Sequence, residues 1–340
     1  MNNKKFKILS IDGGGIRGIF AAMFLVKLES SFKEKDPHNW QIYQKFDLVS
    51  GTSTGGIIAL ALSLGIPAVE IYNLYYENAK HIFNSSFFRR LGILRYKYER
   101  KNLQELIRIK FAEYNNNIEP RMIDCKVPVC IPIYDLQEGE PSIIKSKYHE
   151  SFNRDFHIPV YMVALATSAA PTYFKPYSSA YIDLNDVEVP FRNKVDGGVY
   201  CNNPTLTAII EAQTYFDKDI SELQVLSIGT GHQKFTESNS KKKVSKFGIL
   251  YWINPIKKRL IDLFFQGQSQ QTQNLIKLIS KNNQSSSQKK FEYFRIDSEL
   301  DNGCTINLDE TNPDKLDILS EKAVREFQKH GHIVTNTFIN

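Results

Sequence analysis

The most reactive grouping in the sequence is a serine held between small residues. Gly51-Thr52-Ser53-Thr54-Gly55 fits Gly-x-Ser-x-Gly and lies between two short apolar runs, Phe46 to Ser50 and Gly56 to Leu64. Where a strand turns sharply into a helix, the serine hydroxyl is pushed out of the backbone and small neighbours relieve the crowding, so Ser53 is a candidate nucleophile. The reading without chemistry is a glycine-rich helix entry capped by a serine. A second grouping is Gly13-Gly14-Gly15-Ile16-Arg17-Gly18. Consecutive glycines let backbone N–H groups face one point, beside the positive end of the next helix and the Arg17 side chain. Such a nest suits a phosphate or the oxyanion that forms when a hydroxyl attacks an ester carbonyl.

The glycine run also satisfies Gly-x-Gly-x-x-Gly, the fingerprint of dinucleotide sites. Its context argues against that reading: no acidic residue ends a second strand about 20 positions later, and what ends the next strand is the serine turn. The Gly-Lys-Ser/Thr of a nucleotide P-loop is missing as well.

A hydroxyl nucleophile needs a base. The seven histidines are His38, His81, His149, His157, His232, His330 and His332, and only His232, after Gly229-Thr230-Gly231, follows a strand-end turn. Asp196-Gly197-Gly198 is different, ending a short run and leading into Asn202-Asn203-Pro204. Asp196 could take the serine proton directly, provided burial raises a carboxyl whose reference pKa is about 3.9. Its reading without chemistry is a turn aspartate bonded to its own backbone.

These groups must be positioned by the elements around them. Residues 6–11 read as a strand, 19–32 as a helix, 46–50 as a strand and 56–64 as a helix, so a strand, glycine turn and helix occur twice. Further strands are expected at 127–134, 142–147, 192–195, 225–228 and 291–296. Helices are expected at 160–170, from an Asn203 cap and Pro204 to 216, around Leu275 to Ile279, and at 313–331. The basic stretch 238–246 and the polar stretch 282–290 read as loops. Strands alternating with helices predict an α/β fold, its mostly parallel central sheet covered by helices on both faces. In such a sheet, strand C-terminal ends share one edge, where Gly13 to Gly15, Ser53 and Asp196 would converge.

Composition sets the frame. The 340 residues are 42% hydrophobic and 24% charged, in the range of globular chains. The expected organisation is one domain over 1–340, with core motifs in 6–231 and a helical or irregular part from 232 onward. No run approaches the roughly 20 apolar residues of a membrane span, and the opening lacks a signal-peptide core, so a cytoplasmic protein is expected. Cys125, Cys130, Cys201 and Cys304 lack zinc or redox spacing and read as reduced cysteines. A net charge of +6 favours anionic surfaces without implying a DNA or RNA binder. Aromatic and basic residues mix in 83–95 and 247–265, the pattern of interfacial anchors and equally of helices covering a sheet.

Taken in order, Asp12 to Gly18, Gly51 to Gly55 and Asp196 to Gly198, with Ala166-Thr167-Ser168-Ala169-Ala170-Pro171-Thr172-Tyr173-Phe174 between the last two, resemble the patatin-like phospholipases. The resemblance implies the patatin-like three-layer fold and a Ser–Asp dyad without histidine. By it, Ser53 is the nucleophile, Asp196 the proton acceptor, and Gly13, Gly14, Gly15 and Arg17 the oxyanion hole. It implies hydrolysis of acyl esters of membrane glycerophospholipids through an acyl-serine, with fatty acid released and no metal required. Gly198 stands where many members have alanine. The chain also resembles patatin-like effectors of anti-phage signalling, which a cyclic dinucleotide such as cGAMP activates to degrade the cell membrane. That places the protein at the inner face of the membrane, as a peripheral protein open to homo-oligomerisation. The rival readings are a Ser–His–Asp α/β-hydrolase, with its base from His232, His330 or His332, and a non-catalytic nucleotide- or lipid-binding module.

Overall fold

The computed structural model describes residues 4–84, 96–232, 249–252, 259–282, 291–300 and 306–339. In chain order the elements are β1 (Phe6–Ile11), α1 (Gly18–Lys35), β2 (Leu48–Gly51), α2 (Thr54–Ser63), α3 (Ala68–Ile82) and α4 (Lys101–Glu113). They continue with β3 (Val129–Asp135), β4 (Glu140–Lys145), α5 (Val160–Thr167), β5 (Tyr177–Ile182), β6 (Glu188–Asp196), α6 (Gly198–Cys201) and α7 (Thr205–Tyr215). The remainder are β7 (Leu223–Ile228), α8 (Ile249–Trp252), α9 (Arg259–Asn282), β8 (Glu292–Ile296) and α10 (Pro313–Phe338). The loop readings at 238–246 and 283–290, Cys304 and most of the 83–95 stretch lie outside the described residues.

All eight strands join one sheet in the order β5-β6-β3-β2-β1-β7-β8, with β4 also on β3. The pleat divides it into two apolar faces, because successive side chains point to opposite sides. Leu9, Ile11, Val49, Ile131 and Leu226 pack beneath α1, α2, α5 and α10, with Phe20, Phe24 and Phe32 of α1 fully buried. Ile8, Leu48, Cys130 and Val225 pack on the other side against Ala208, Ile209 and Ala212 of α7 and Ile276 of α9. The result is three layers, α/β/α. Phe327 of α10 meets Phe24 edge-on at 5.4 Å and Phe338 stacks on Phe46 at 5.0 Å, so the last helix closes the core around α1. Each such aromatic contributes about 1.5–3 kcal/mol by leaving water.

The centre of the sheet is parallel, with β2, β1, β7 and β8 adjacent in the same sense and β3 following β2. The side beyond β3 is antiparallel, and it determines where the site forms. Strand β4 lines one edge of β3 from Cys130 to Asp135. The other edge is therefore shared end to end, by β2 beside Val129 and Cys130 and by β6, running the opposite way, beside Ile133 to Asp135. Asp196, the last residue of β6, thus meets the end of β2 head-on. The expected convergence along a common C-terminal edge is corrected here. Strand β6 is antiparallel to β3, so Asp196 reaches the serine turn by arriving from beyond the sheet edge and stopping there.

Several element boundaries also differ from the sequence reading. The 192–195 strand is the end of β6, whose hairpin partner β5 was not expected because its inward residues, Tyr177 and Tyr181, alternate with polar ones. Asn203 Oδ1 accepts from Thr205 N–H at 3.1 Å, and α7 starts one residue after Pro204 rather than at it. The last helix continues to Phe338 because Val334, Thr335 and Phe338 keep its buried stripe going past Gly331.

Candidate active site

The serine turn is built by close approach. Ser53 takes φ 56°, ψ −123° between β2 and α2, a combination that costs a non-glycine residue about 1–3 kcal/mol and persists only where surroundings impose it. They do so through Thr52 N–H, which donates to Ile11 O at 3.2 Å, and Thr52 Oγ1, which donates to Cys201 O at 2.6 Å. Ser53 N–H donates to Thr167 Oγ1 at 3.0 Å, and Thr167 in turn donates to Pro132 O at 2.8 Å. Gly55 lets the first turn of α2 lie against β1, since a Cβ there would stand 2.3 Å from Ile11 O.

So held, Ser53 Oγ donates to Asp196 Oδ2 at 2.6 Å. The second carboxylate oxygen accepts the Gly198 N–H at 2.7 Å, and the Asp196 amide donates to Ala169 O. Asp196 is 1% exposed. Burial pushes its pKa up to about 7, against the opposing pull of the Ser53 hydroxyl and the Gly198 amide. A carboxyl titrating there is a usable base near neutral pH, which one at its solution value is not.

The glycine loop divides between two cavities. Gly14 and Gly15 line the one that contains Ser53 and Asp196, and their amides have no acceptor among the described residues. Gly15 has φ +56°, and a Cβ there would fall 2.2 Å from Leu308 O, which no side chain could accommodate. Gly13 N–H instead donates to Asn202 O at 3.0 Å. Arg17 lines the neighbouring cavity, of about 220 Å³, with Asp12, Thr230, His232 and Gln270. Of the four residues expected around an oxyanion, Gly14 and Gly15 line the Ser53 cavity, while Gly13 and Arg17 line the neighbouring one.

That neighbouring cavity rests on a buried network the sequence did not announce. Arg295 of β8 donates to both oxygens of Asp12, at 2.9 and 2.7 Å, and to Ser227 Oγ and Asp297. Burial opposes the guanidinium, yet Asp12 and Asp297 raise its pKa well above the ordinary arginine value. Burial also works against Asp297, but Arg295 brings it down to about 2. His232 Nδ1 sits 3.3 Å from Asp297 Oδ2, which raises the pKa of the imidazole. His232 is thereby tied to Asp297 in the second cavity, and His330 and His332 lie on α10 beside Glu326 and Asn336. None of the seven histidines lines the Ser53 cavity. Thr167, Asn202 and Arg295 are the site residues missed from the sequence. The cues were that Thr167 lies in the Ala166 to Phe174 stretch and Asn202 in the Asn202-Asn203-Pro204 turn, neither of which assigned them a role.

Among the described residues no cluster of three or more His, Cys, Asp or Glu is arranged to hold a metal, and no helix is long and apolar enough to cross a membrane. The geometry is that of a serine hydroxyl bonded to a buried carboxylate beside a glycine loop. A model of the patatin-like phospholipase family matches residues 9–209. Patatin-like protein 2 of Arabidopsis thaliana is 31% identical over 341 residues, covering 92% of this chain and 81% of the relative. A cGAMP-activated phospholipase of Vibrio cholerae is 33% identical over 249 residues, 69% of this chain and 66% of that protein. Another, of Escherichia coli, is 32% identical over 248 residues, 71% and 66% respectively. The alignments thus span just under two thirds of the two cGAMP-activated proteins. With more than half its length matched by one family model and a relative aligned almost end to end, the chain belongs to the patatin-like phospholipases, a family of serine-dependent lipid acyl hydrolases.

Proposed function

We propose that this protein hydrolyses acyl esters of membrane glycerophospholipids, with Ser53 as nucleophile and Asp196 as its base. The observation that carries the reading is the 2.6 Å bond from Ser53 Oγ to a buried carboxylate. As Ser53 attacks the ester carbonyl, Asp196 takes the hydroxyl proton. The tetrahedral oxyanion accepts from the Gly14 and Gly15 amides, which lead into the positive end of α1. Collapse expels the lysolipid alkoxide, which takes the proton back from Asp196 and leaves an acyl-serine. Asp196 then deprotonates a water that attacks the acyl-serine, and returns that proton to Ser53 Oγ as the fatty acid leaves. The residues of this cycle hold and move every proton it needs.

The proposal extends to control. The similarity to two proteins named as cGAMP-activated phospholipases supports activation by a cyclic dinucleotide. It also supports a role as a membrane-degrading defence effector acting from the cytoplasm at the inner face of the membrane. The protein would work as one domain, a reading supported by the C-terminal third supplying β8, Arg295 and α10 to the sheet and core.

The test is fatty-acid release from phospholipid vesicles with and without a panel of cyclic nucleotides, alongside Ser53→Ala. Release confined to one cyclic dinucleotide and absent in Ser53→Ala supports both parts. Equal release in every condition refutes the activation, and release by Ser53→Ala refutes the chemistry.

A further inference from the structure

We propose that the acyl chain of the substrate lies in an apolar groove leading from the Ser53 cavity past Phe265 to Val199 and Leu136. The proposal rests on the acyl-hydrolase reading above. The Ser53 cavity encloses only about 50 Å³, room for a few water molecules, whereas sites for small organic ligands run to roughly 300–1,000 Å³. A chain bonded to Ser53 must therefore leave that cavity.

The surroundings offer two exits of opposite character. One is the cavity of about 220 Å³ lined by Asp12, Arg17, His232 and three glutamines, a poor host for methylenes. The other is apolar. Ala170, Tyr173 and Phe265 of the Ser53 cavity also line an adjoining recess of about 100 Å³, which adds Pro171, Val199 and Phe264. Pro171 and Val199 pass in turn into a groove of about 580 Å³ that reaches Leu136. Among the described residues, no charged side chain lines the recess or the groove.

Several polar groups along this path are already bonded. Tyr134 donates its hydroxyl to Gly139 O at 2.9 Å, Tyr200 donates to Ser142 O at 3.0 Å, and Ala169 O accepts the Asp196 amide. Ring faces and aliphatic groups make up most of the lining, with Thr172 the polar exception. Val199 is 40%, Leu136 51% and Phe264 61% exposed, so an acyl chain laid along them removes apolar surface of both partners from water. Val199 follows Gly198, whose N–H holds the base, so the groove begins one residue from the chemistry.

The deciding experiment measures kcat/KM for p-nitrophenyl butyrate and palmitate in the parent protein and in Val199→Asp, Leu136→Asp and Val199→Trp. A charge or a bulky ring in the groove is expected to lower the palmitate-to-butyrate ratio by about tenfold or more. An unaltered ratio overturns the proposal, because general damage would depress both esters together. Palmitate titrated calorimetrically into Ser53→Ala and into Ser53→Ala/Val199→Asp gives a readout independent of turnover. Weaker binding in the double variant supports the groove, and equal binding overturns it. Loss of vesicle sedimentation with no change in the ester ratio would make the patch a bilayer contact and likewise overturn the acyl assignment. Failure of the underlying reading looks different: the parent would cleave neither ester, or Ser53→Ala would cleave butyrate as well as the parent does, and palmitate binding alone would then judge the groove.

Discussion

Arg295 grips both carboxylate oxygens of Asp12 across 283 residues of chain, at 2.9 and 2.7 Å, and so ties the last strand of the sheet to the residue that opens the glycine loop. The loop carries Gly14 and Gly15, which line the Ser53 cavity, and its start is fixed by an ion pair from the far end of the chain.

Replacing Arg295 with methionine would leave Asp12 and Asp297 buried without their cation. Removing one partner of a buried pair typically costs about 3–5 kcal/mol, and a loss of that size is expected for Arg295→Met in denaturant unfolding. Adding Asp12→Asn to it should restore part of the loss. A cost near zero for Arg295→Met would mean that the network contributes nothing to the fold.

Ser53 and Asp196 should behave as one unit. Ser53→Ala and Asp196→Asn are each expected to lower kcat on a soluble ester by roughly ten-thousandfold, and the double variant by little more. Alanine at each histidine, His232 included, should leave the rate within a few-fold of the parent. A histidine variant as inactive as Ser53→Ala would point to a triad instead.

The raised pKa of Asp196 sets the pH profile. Burial places it at about 7, and only the ionised form can accept the Ser53 proton. The value of kcat/KM should therefore rise tenfold per pH unit below about 7 and level off above it. A rate already flat from pH 5 upward would show that the base titrates as an ordinary exposed carboxylate.

The same burial has a cost in stability. Asp196 has a folded-state pKa of about 7 against an ordinary aspartate value of 3.8, so the unfolded chain ionises first. The penalty is absent below about pH 4, grows as pH rises between the two values, and is complete above the folded one. Asp196→Asn removes the charge while keeping an oxygen for Gly198 N–H, so it should be more stable than the parent at pH 8, by an amount on the order of 2–4 kcal/mol. At pH 4 the advantage should vanish. Thermal unfolding of both proteins across this range measures it, and an Asp196→Asn variant less stable than the parent at pH 8 would contradict the account.

Much of the local structure is legible in the sequence because glycine and strand-turn-helix signals act over a few residues. Ser53 stands out since only small neighbours allow α2 to begin against Ile11 O, and Gly14 and Gly15 stand out because a run of glycines leaves amides uncovered. The two central turns and β7 were readable in the same way, as short apolar runs ended by glycine. Asp196 was singled out for its Gly-Gly neighbours, but the direction of its strand was not. Parallel and antiparallel pairing look alike in a stretch of five residues, and the hairpin with β5 depends on contacts made only after folding.

What the tertiary structure decided are the long-range pairings. Which glycine amides stay unpaired depends on Gly13 N–H being taken by Asn202 O, and Arg17 lines the second cavity. Which histidine could serve as a base depends on His232 lying beside Asp297. Arg295 carries no local signature, since an arginine in a strand reads as solvent-facing until the sheet packs around it, whereas α9 showed its apolar side only in the spacing of Leu275, Ile276 and Ile279. Sequence spacing records what neighbours along the chain must do. The charge, burial and direction that make a catalytic site are properties of residues brought together from distant parts of the chain, and these only the packed fold determines.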